Sequence, residues 1–178
     1  MKSLRSTLIF MVLMLVLSSA CATGMAQEPE VPVHQVYKAV GGPTQPKVPV
    51  YWNRYHDHAE ITKMLQDLAA AYPQLFKVES VGKSTDGREM WVATITNFEV
   101  GEESRKPGFW IDGGIHANEI QATEVALYTA WFLAEMHGEN KFVQQLLRDR
   151  VFYILPDMSP DSREAHFYES NSTNTPRT

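Results

Sequence analysis

Apolar and polar positions alternate with two different periods along this chain. Ile61, Met64, Leu65, Leu68 and Ala69 recur at the three-and-four spacing of one helix face. Asp57 stands where it can cap that helix, Glu60 follows three residues on as in a capping box, and Pro73 ends it. The period then drops to two. Phe76, Val78 and Ser80 alternate with Lys77, Glu79 and Val81, and Met90, Val92, Thr94 and Thr96 alternate with Trp91, Ala93 and Ile95. Both read as strands, joined by the turn signal Ser84-Thr85-Asp86-Gly87.

Further on, Phe109-Trp110-Ile111 is a short apolar run leading to Gly113-Gly114, which predicts a central strand covered on both faces. An apolar-rich stretch from Ile120 to Met136 predicts a long helix with Gly138 as its stop. A shorter helix is predicted from Asn140 to Leu147, then a buried strand from Val151 to Leu155, stopped by Pro156. Ser159-Pro160-Asp161 reads as a turn, and the tail from Glu169 to Thr178 has almost no apolar content. Strands alternating with helices indicate an α/β fold, a mixed sheet flanked by helices, with the first two strands as an antiparallel edge. With about four strands and a loop-like ending, residues 55–178 read as the N-terminal part of a longer domain.

The first 26 residues read as an address. Lys2 and Arg5 precede the apolar run Thr7–Leu17 and the small residues Ser18-Ser19-Ala20, the pattern of a bacterial-type export signal, too short to span a membrane comfortably. Cleavage after Ala22 or Ala26 fits. So does lipidation: Cys21 follows Leu17-Ser18-Ser19-Ala20, a lipoprotein-like signal shifted by one residue. The chain is therefore expected outside the cytoplasm, either free or anchored through Cys21. Residues 27–54 carry Pro29, Pro32, Pro43, Pro46 and Pro49, which no helix runs through, and read as a linker or an extended arm.

Composition narrows the chemistry. A net charge of -5 gives no support to nucleic-acid binding. One cysteine excludes an intramolecular disulfide and a multi-cysteine zinc site. No Gly-x-Ser-x-Gly elbow, phosphate loop or His-Glu-x-x-His is present. The informative stretch is Gly113-Gly114-Ile115-His116-Ala117-Asn118-Glu119, where a strand gives way to a helix. Ligands of open α/β sheets bind outside the carboxyl ends of strands. His116 and Glu119, three apart, can converge in a tight turn, and imidazole and carboxylate are both good zinc donors. The same spacing also arises as a histidine at a helix start beside a surface glutamate, and spacing alone does not choose between the two.

The segment resembles the His-x-x-Glu metal motif of the zinc carboxypeptidase A family. Other pieces fall in that family's order. Tyr55–Ile61 with Leu68 and Tyr72-Pro73 is similar to its first helix, and Ser80–Ser84 with Asp86-Gly87-Arg88 to its strand-turn-strand hairpin. Met158–Ser162 sits where the family has Asn-Pro-Asp-Gly. The resemblance implies Zn2+ held by His116 and Glu119, with Arg177 as the candidate for the arginine that polarises the scissile carbonyl. It implies hydrolysis of peptide bonds in exported or cell-wall peptides by metal-activated water. The family's third histidine ligand and its general-base glutamate find no match in this chain. His137 lies at the far end of the long helix, about 25 Å from Glu119 at a rise of 1.5 Å per residue, and His166 matches no ligand motif. Two other readings stand beside this one: a non-catalytic, peptide-binding envelope protein, and a deacylase of the aspartoacylase kind.

Overall fold

Asp57 opens the first helix as its spacing to Glu60 predicts: its carboxylate accepts from Glu60 N at 2.8 Å, and the Glu60 side chain accepts from Asp57 N. In the computed structural model, which describes residues 41–169, this helix is α1 (His58–Ala71). It turns Ile61, Met64, Leu65 and Leu68 into the core. Tyr72 caps it, since a residue before proline is driven out of the helical region.

The remaining elements are β1 (Phe76–Lys83), β2 (Glu89–Ile95), a short 3-10 turn (Glu103–Arg105), β3 (Gly108–Asp112), α2 (Ile120–Met136), α3 (Lys141–Asp149), β4 (Val151–Leu155) and α4 (Pro160–Tyr168). The four strands form one mixed sheet in the order β1-β2-β4-β3. β1 pairs antiparallel with β2, β2 antiparallel with β4, and β3 parallel with β4. The mixed sheet flanked by helices is the architecture the periodicities predict. Leu65 and Leu68 of α1, Leu127, Ala130 and Ala134 of α2, Ile95 of β2 and Ile154 of β4 meet in one buried cluster. The stretch read as a leader (1–26) with Cys21, the part of the expected arm up to residue 40, and residues 170–178 with Arg177 lie outside the described residues.

Two expectations need correction. Among the described residues β3 is not covered as a central strand would be. It ends the sheet order there, paired only with β4, and Phe109 and Trp110 are 50% and 57% exposed. Trp110 and Phe109 therefore do not pack into the core; Phe109 stacks on Phe152 and the Trp110 indole donates to Asp112. Ser159-Pro160-Asp161 is likewise not a turn between loops. Pro160 begins α4, where a proline's missing N–H costs no helical hydrogen bond.

Residues 44–48 lie along the end of α2. Glu135, buried, accepts from Lys47 N at 2.9 Å, Val48 N at 2.8 Å and Tyr72 Oη at 2.5 Å, while Trp131 Nε1 donates to Val48 O. Burial first, then the Glu135 carboxylate, pushes the Tyr72 phenol above its ordinary range.

The hairpin is tied to α4 through Asp161, which accepts from Ser84 Oγ at 2.6 Å, Asp86 N at 3.0 Å and Arg88 Nη1 at 2.6 Å. Burial alone would raise this carboxyl. The donated hydrogen bonds together outweigh it and hold Asp161 below the usual carboxylate range. A depressed carboxyl stabilises the fold above its unfolded pKa of 3.8, and the contribution fades as pH falls through the lower folded value. Asp161→Asn should therefore cost about 1.5–3 kcal/mol at pH 7. In urea unfolding, the gap from wild type should close as the pH is taken below 3.8. A gap that stays constant into acid would mean that these bonds do not depend on the charge.

Candidate metal centre

The parallel pairing of β3 with β4 carries on for one step, with Gly113 N donating to Leu155 O at 3.0 Å. There the chain leaves the sheet through a gap that only glycine fits. A Cβ on Gly113 would stand 2.7 Å from Ala122 O and 2.9 Å from Pro156 O, backbone on both sides. Gly114 follows with φ +70, in the left-handed region. The loop after β4 runs alongside and holds this turn: Met158 N donates to Gly113 O at 2.9 Å, and Ser159 Oγ to Ile115 O at 3.0 Å.

The chain then folds back on itself. Glu119 N donates to His116 O at 3.0 Å, and Glu119 is the residue at the mouth of α2. The turn brings His116 Nδ1 to 3.4 Å from Glu119 Oε1, at the carboxyl ends of β3 and β4, with both side chains partly open to solvent. That separation is long for a charge-assisted N–H···O bond, which closes to about 2.7–2.9 Å. It suits two donors around one cation. Zinc–nitrogen and zinc–oxygen bonds of about 2.0–2.1 Å at a tetrahedral angle put the donor atoms about 3.3–3.4 Å apart. This pair therefore fits the metal that the motif implies. Among the described residues no group of three His, Cys, Asp or Glu could hold an ion, so neither His166 nor His137 joins the pair. His137 sits past the other end of α2, its imidazole pushed down by burial. Asn118 is exposed between the two donors.

Behind this turn lies a buried ionic network whose members sequence reasoning left scattered. Arg163 of α4, 1% exposed, donates to His56 O from Nε at 2.9 Å and from Nη2 at 2.6 Å, and Nη2 also donates to Glu124 Oε1 at 2.6 Å. Glu124 accepts from His56 N at 2.9 Å and meets His56 Nδ1 at 2.8 Å. Glu124, one turn beyond Glu119, is thus paired with both Arg163 and His56. His56 is buried and joins the stretch before α1 to α2 and α4. Nothing in the spacing of His56, Glu124 and Arg163 announces their meeting. Asp157 is 4% exposed, with Oδ2 at 3.3 Å from His58 Nδ1.

Residues 61–177 match the family model described as zinc carboxypeptidase. Carboxypeptidase B of Astacus astacus is 36% identical over 110 residues, covering 62% of this chain and 34% of that protein. Carboxypeptidase D of Homo sapiens is 32% identical over 111 residues, covering 62% of this chain and 8% of that one. The chain thus spans about a third or less of these relatives. The crystal structure of thrombin activatable fibrinolysis inhibitor superposes with a TM-score of 0.64 at 23% identity, over 74% of this chain and 32% of that one. Carboxypeptidase A from Helicoverpa armigera superposes with a TM-score of 0.63 at 21% identity, over 74% and 31%. At those identities the superpositions speak for the fold alone.

Proposed function

This chain belongs to the zinc carboxypeptidase family, and from that premise we propose that it supplies the first two protein ligands, His116 and Glu119, of a zinc site that hydrolyses peptide bonds. The observation that carries the reading is the 3.4 Å approach of His116 Nδ1 to Glu119 Oε1 at the carboxyl ends of the parallel strands. Bound zinc supplies Lewis acidity toward a carbonyl and makes water a usable nucleophile near neutral pH. The chain's own part is to hold the donors. Gly113 and Gly114 let the backbone turn, the loop after β4 fixes its carbonyls, and the start of α2 fixes Glu119. Arg177, at the last position of the family match, is proposed as the group that stabilises the developing oxyanion. Substrates are proposed to be exported or cell-wall peptides. The chain is proposed to be exported by its first 26 residues, with Cys21 as the site of a lipid anchor if one is added. Among the described residues no helix is long and apolar enough to cross a membrane.

Zinc titration of the full chain tests this reading. One zinc should bind per chain, and His116→Ala and Glu119→Ala should each weaken binding at least tenfold. Binding that ignores both substitutions would remove the site.

A second reading, a peptide-binding protein without catalysis, is favoured by one observation: among the described residues no third donor completes the pair. With only two ligands, zinc should bind weakly and peptides with free C-termini should turn over little or not at all. Turnover abolished by both His116→Ala and Glu119→Ala would set that second reading aside.

A further inference from the structure

Two polar atoms flank Gly114 from inside the protein and make no hydrogen bond to any described residue: Thr123 Oγ1, on a side chain with no exposure, and Asp157 Oδ1, on one 4% exposed. A Cβ at Gly114 would stand 2.6 Å from the first and 3.6 Å from the second. Both atoms therefore lie close to the Gly114 backbone, two residues before His116. Among the described residues Asp157 is otherwise held through Oδ2, at 3.3 Å from His58 Nδ1. A buried carboxylate oxygen left without a donor is costly. One shared water would satisfy both atoms, since a buried water bridges polar groups that otherwise lack partners. We infer that Asp157 is a positioning residue for the loop that carries His116 and Glu119, holding it from behind through an ordered water shared with Thr123 Oγ1.

The arrangement explains why Asp157 is buried beside a loop that is already tied by its neighbours. Met158 N and Ser159 Oγ hold the carbonyls of Gly113 and Ile115. Neither reaches the side of Gly114 that faces α2. The shared water anchors that side, so the loop is gripped on two faces and His116 keeps its approach to Glu119. The inference rests on the reading of His116 and Glu119 as metal donors, because positioning them is what the grip is for.

The test compares the full chain with Asp157→Asn, Asp157→Leu and Thr123→Val, first without metal, by hydrogen exchange of the 115–119 amides relative to the amides in the middle of α2. Asp157→Leu keeps the volume but not the acceptor, and Thr123→Val removes only the hydroxyl. Each should speed exchange of the 115–119 segment about tenfold or more while the middle of α2 changes little. Asp157→Asn keeps Oδ1 as an acceptor and should stay close to wild type. Zinc titration of the same proteins should then show a loss of about tenfold in affinity for the Leu and Val variants, the scale expected for a supporting group. A purely structural Asp157 would lower the melting temperature and raise exchange evenly; that result, or unchanged 115–119 exchange in Asp157→Leu and Thr123→Val, overturns the inference. If Asp157→Leu does not fold, Thr123→Val and Asp157→Asn decide it alone. If the wild-type chain binds no zinc, the metal reading fails, while the exchange comparison still decides whether Asp157 and Thr123 hold the loop.

Discussion

Replacing Arg163 with alanine should cost the protein about 3–5 kcal/mol, the scale for stripping one partner from a buried ion pair. Arg163 is 1% exposed and its guanidinium makes four donor contacts to three groups, the His56 carbonyl, the Glu124 carboxylate and, at 3.4 Å, the Ile120 carbonyl. Its loss leaves Glu124 without its cation and the His56 carbonyl without either donor. Three segments far apart in sequence come undone together: the stretch before α1, the first turns of α2, and α4. Arg163→Lys should recover only part of the loss, because an ammonium cannot present the planar fork that reaches the carbonyl and the carboxylate at once. Adding Glu124→Gln to Arg163→Ala should restore part of the stability by removing the orphaned charge. Urea unfolding of the four proteins at pH 7 measures this. A loss below about 1 kcal/mol in Arg163→Ala, the range of exposed pairs, would mean that water reaches the network.

Most of the regular structure could be read from the chain because it is local. The bounds of α2, Ile120–Met136, and of β4, Val151–Leu155, follow from runs of apolar residues closed by Gly138 and Pro156. The capping box at Asp57 and Glu60 also lies within four residues. The approach of His116 to Glu119 is local as well, a single turn at a helix mouth. What escaped is what depends on distant neighbours. The apolar run Phe109–Ile111 says that both faces of β3 are greasy, but its exposure depends on which strands lie beside it. α4 carries few apolar side chains, so no periodicity marks it, and its hold on the fold is a buried arginine. Asp157 has the composition of a turn residue; only the packing of the loop after β4 against Gly114 and Thr123 makes it a buried acid. Charged residues in particular hide their roles, because a sequence shows the charge and not the partner.

Gly113→Ala should disable the candidate site outright, with a loss of about 1–3 kcal/mol in stability, the usual range for overpacking a filled interior. The added methyl would meet Ala122 O at 2.7 Å, Ala122 C at 2.8 Å and Pro156 O at 2.9 Å. All three are backbone atoms, in the first turn of α2 and in the loop after β4, so no side chain can swing aside to make room. Relief requires α2 and the loop after β4 to part. Gly113 is the hinge between them, and such a shift moves Glu119 away from His116. Gly114→Ala is the informative comparison. Its Cβ would stand 2.6 Å from Thr123 Oγ1, a side-chain atom, and its backbone lies at φ +70, so backbone strain and a side-chain clash combine without forcing the helix off the sheet. Gly138 has nothing within 4 Å of its Cβ position and no left-handed φ, so Gly138→Ala should change stability by less than about 1 kcal/mol. Zinc affinity should fall at least tenfold in Gly113→Ala, fall less in Gly114→Ala and stay unchanged in Gly138→Ala. Wild-type zinc binding by Gly113→Ala would show that His116 and Glu119 do not depend on the fit of this turn.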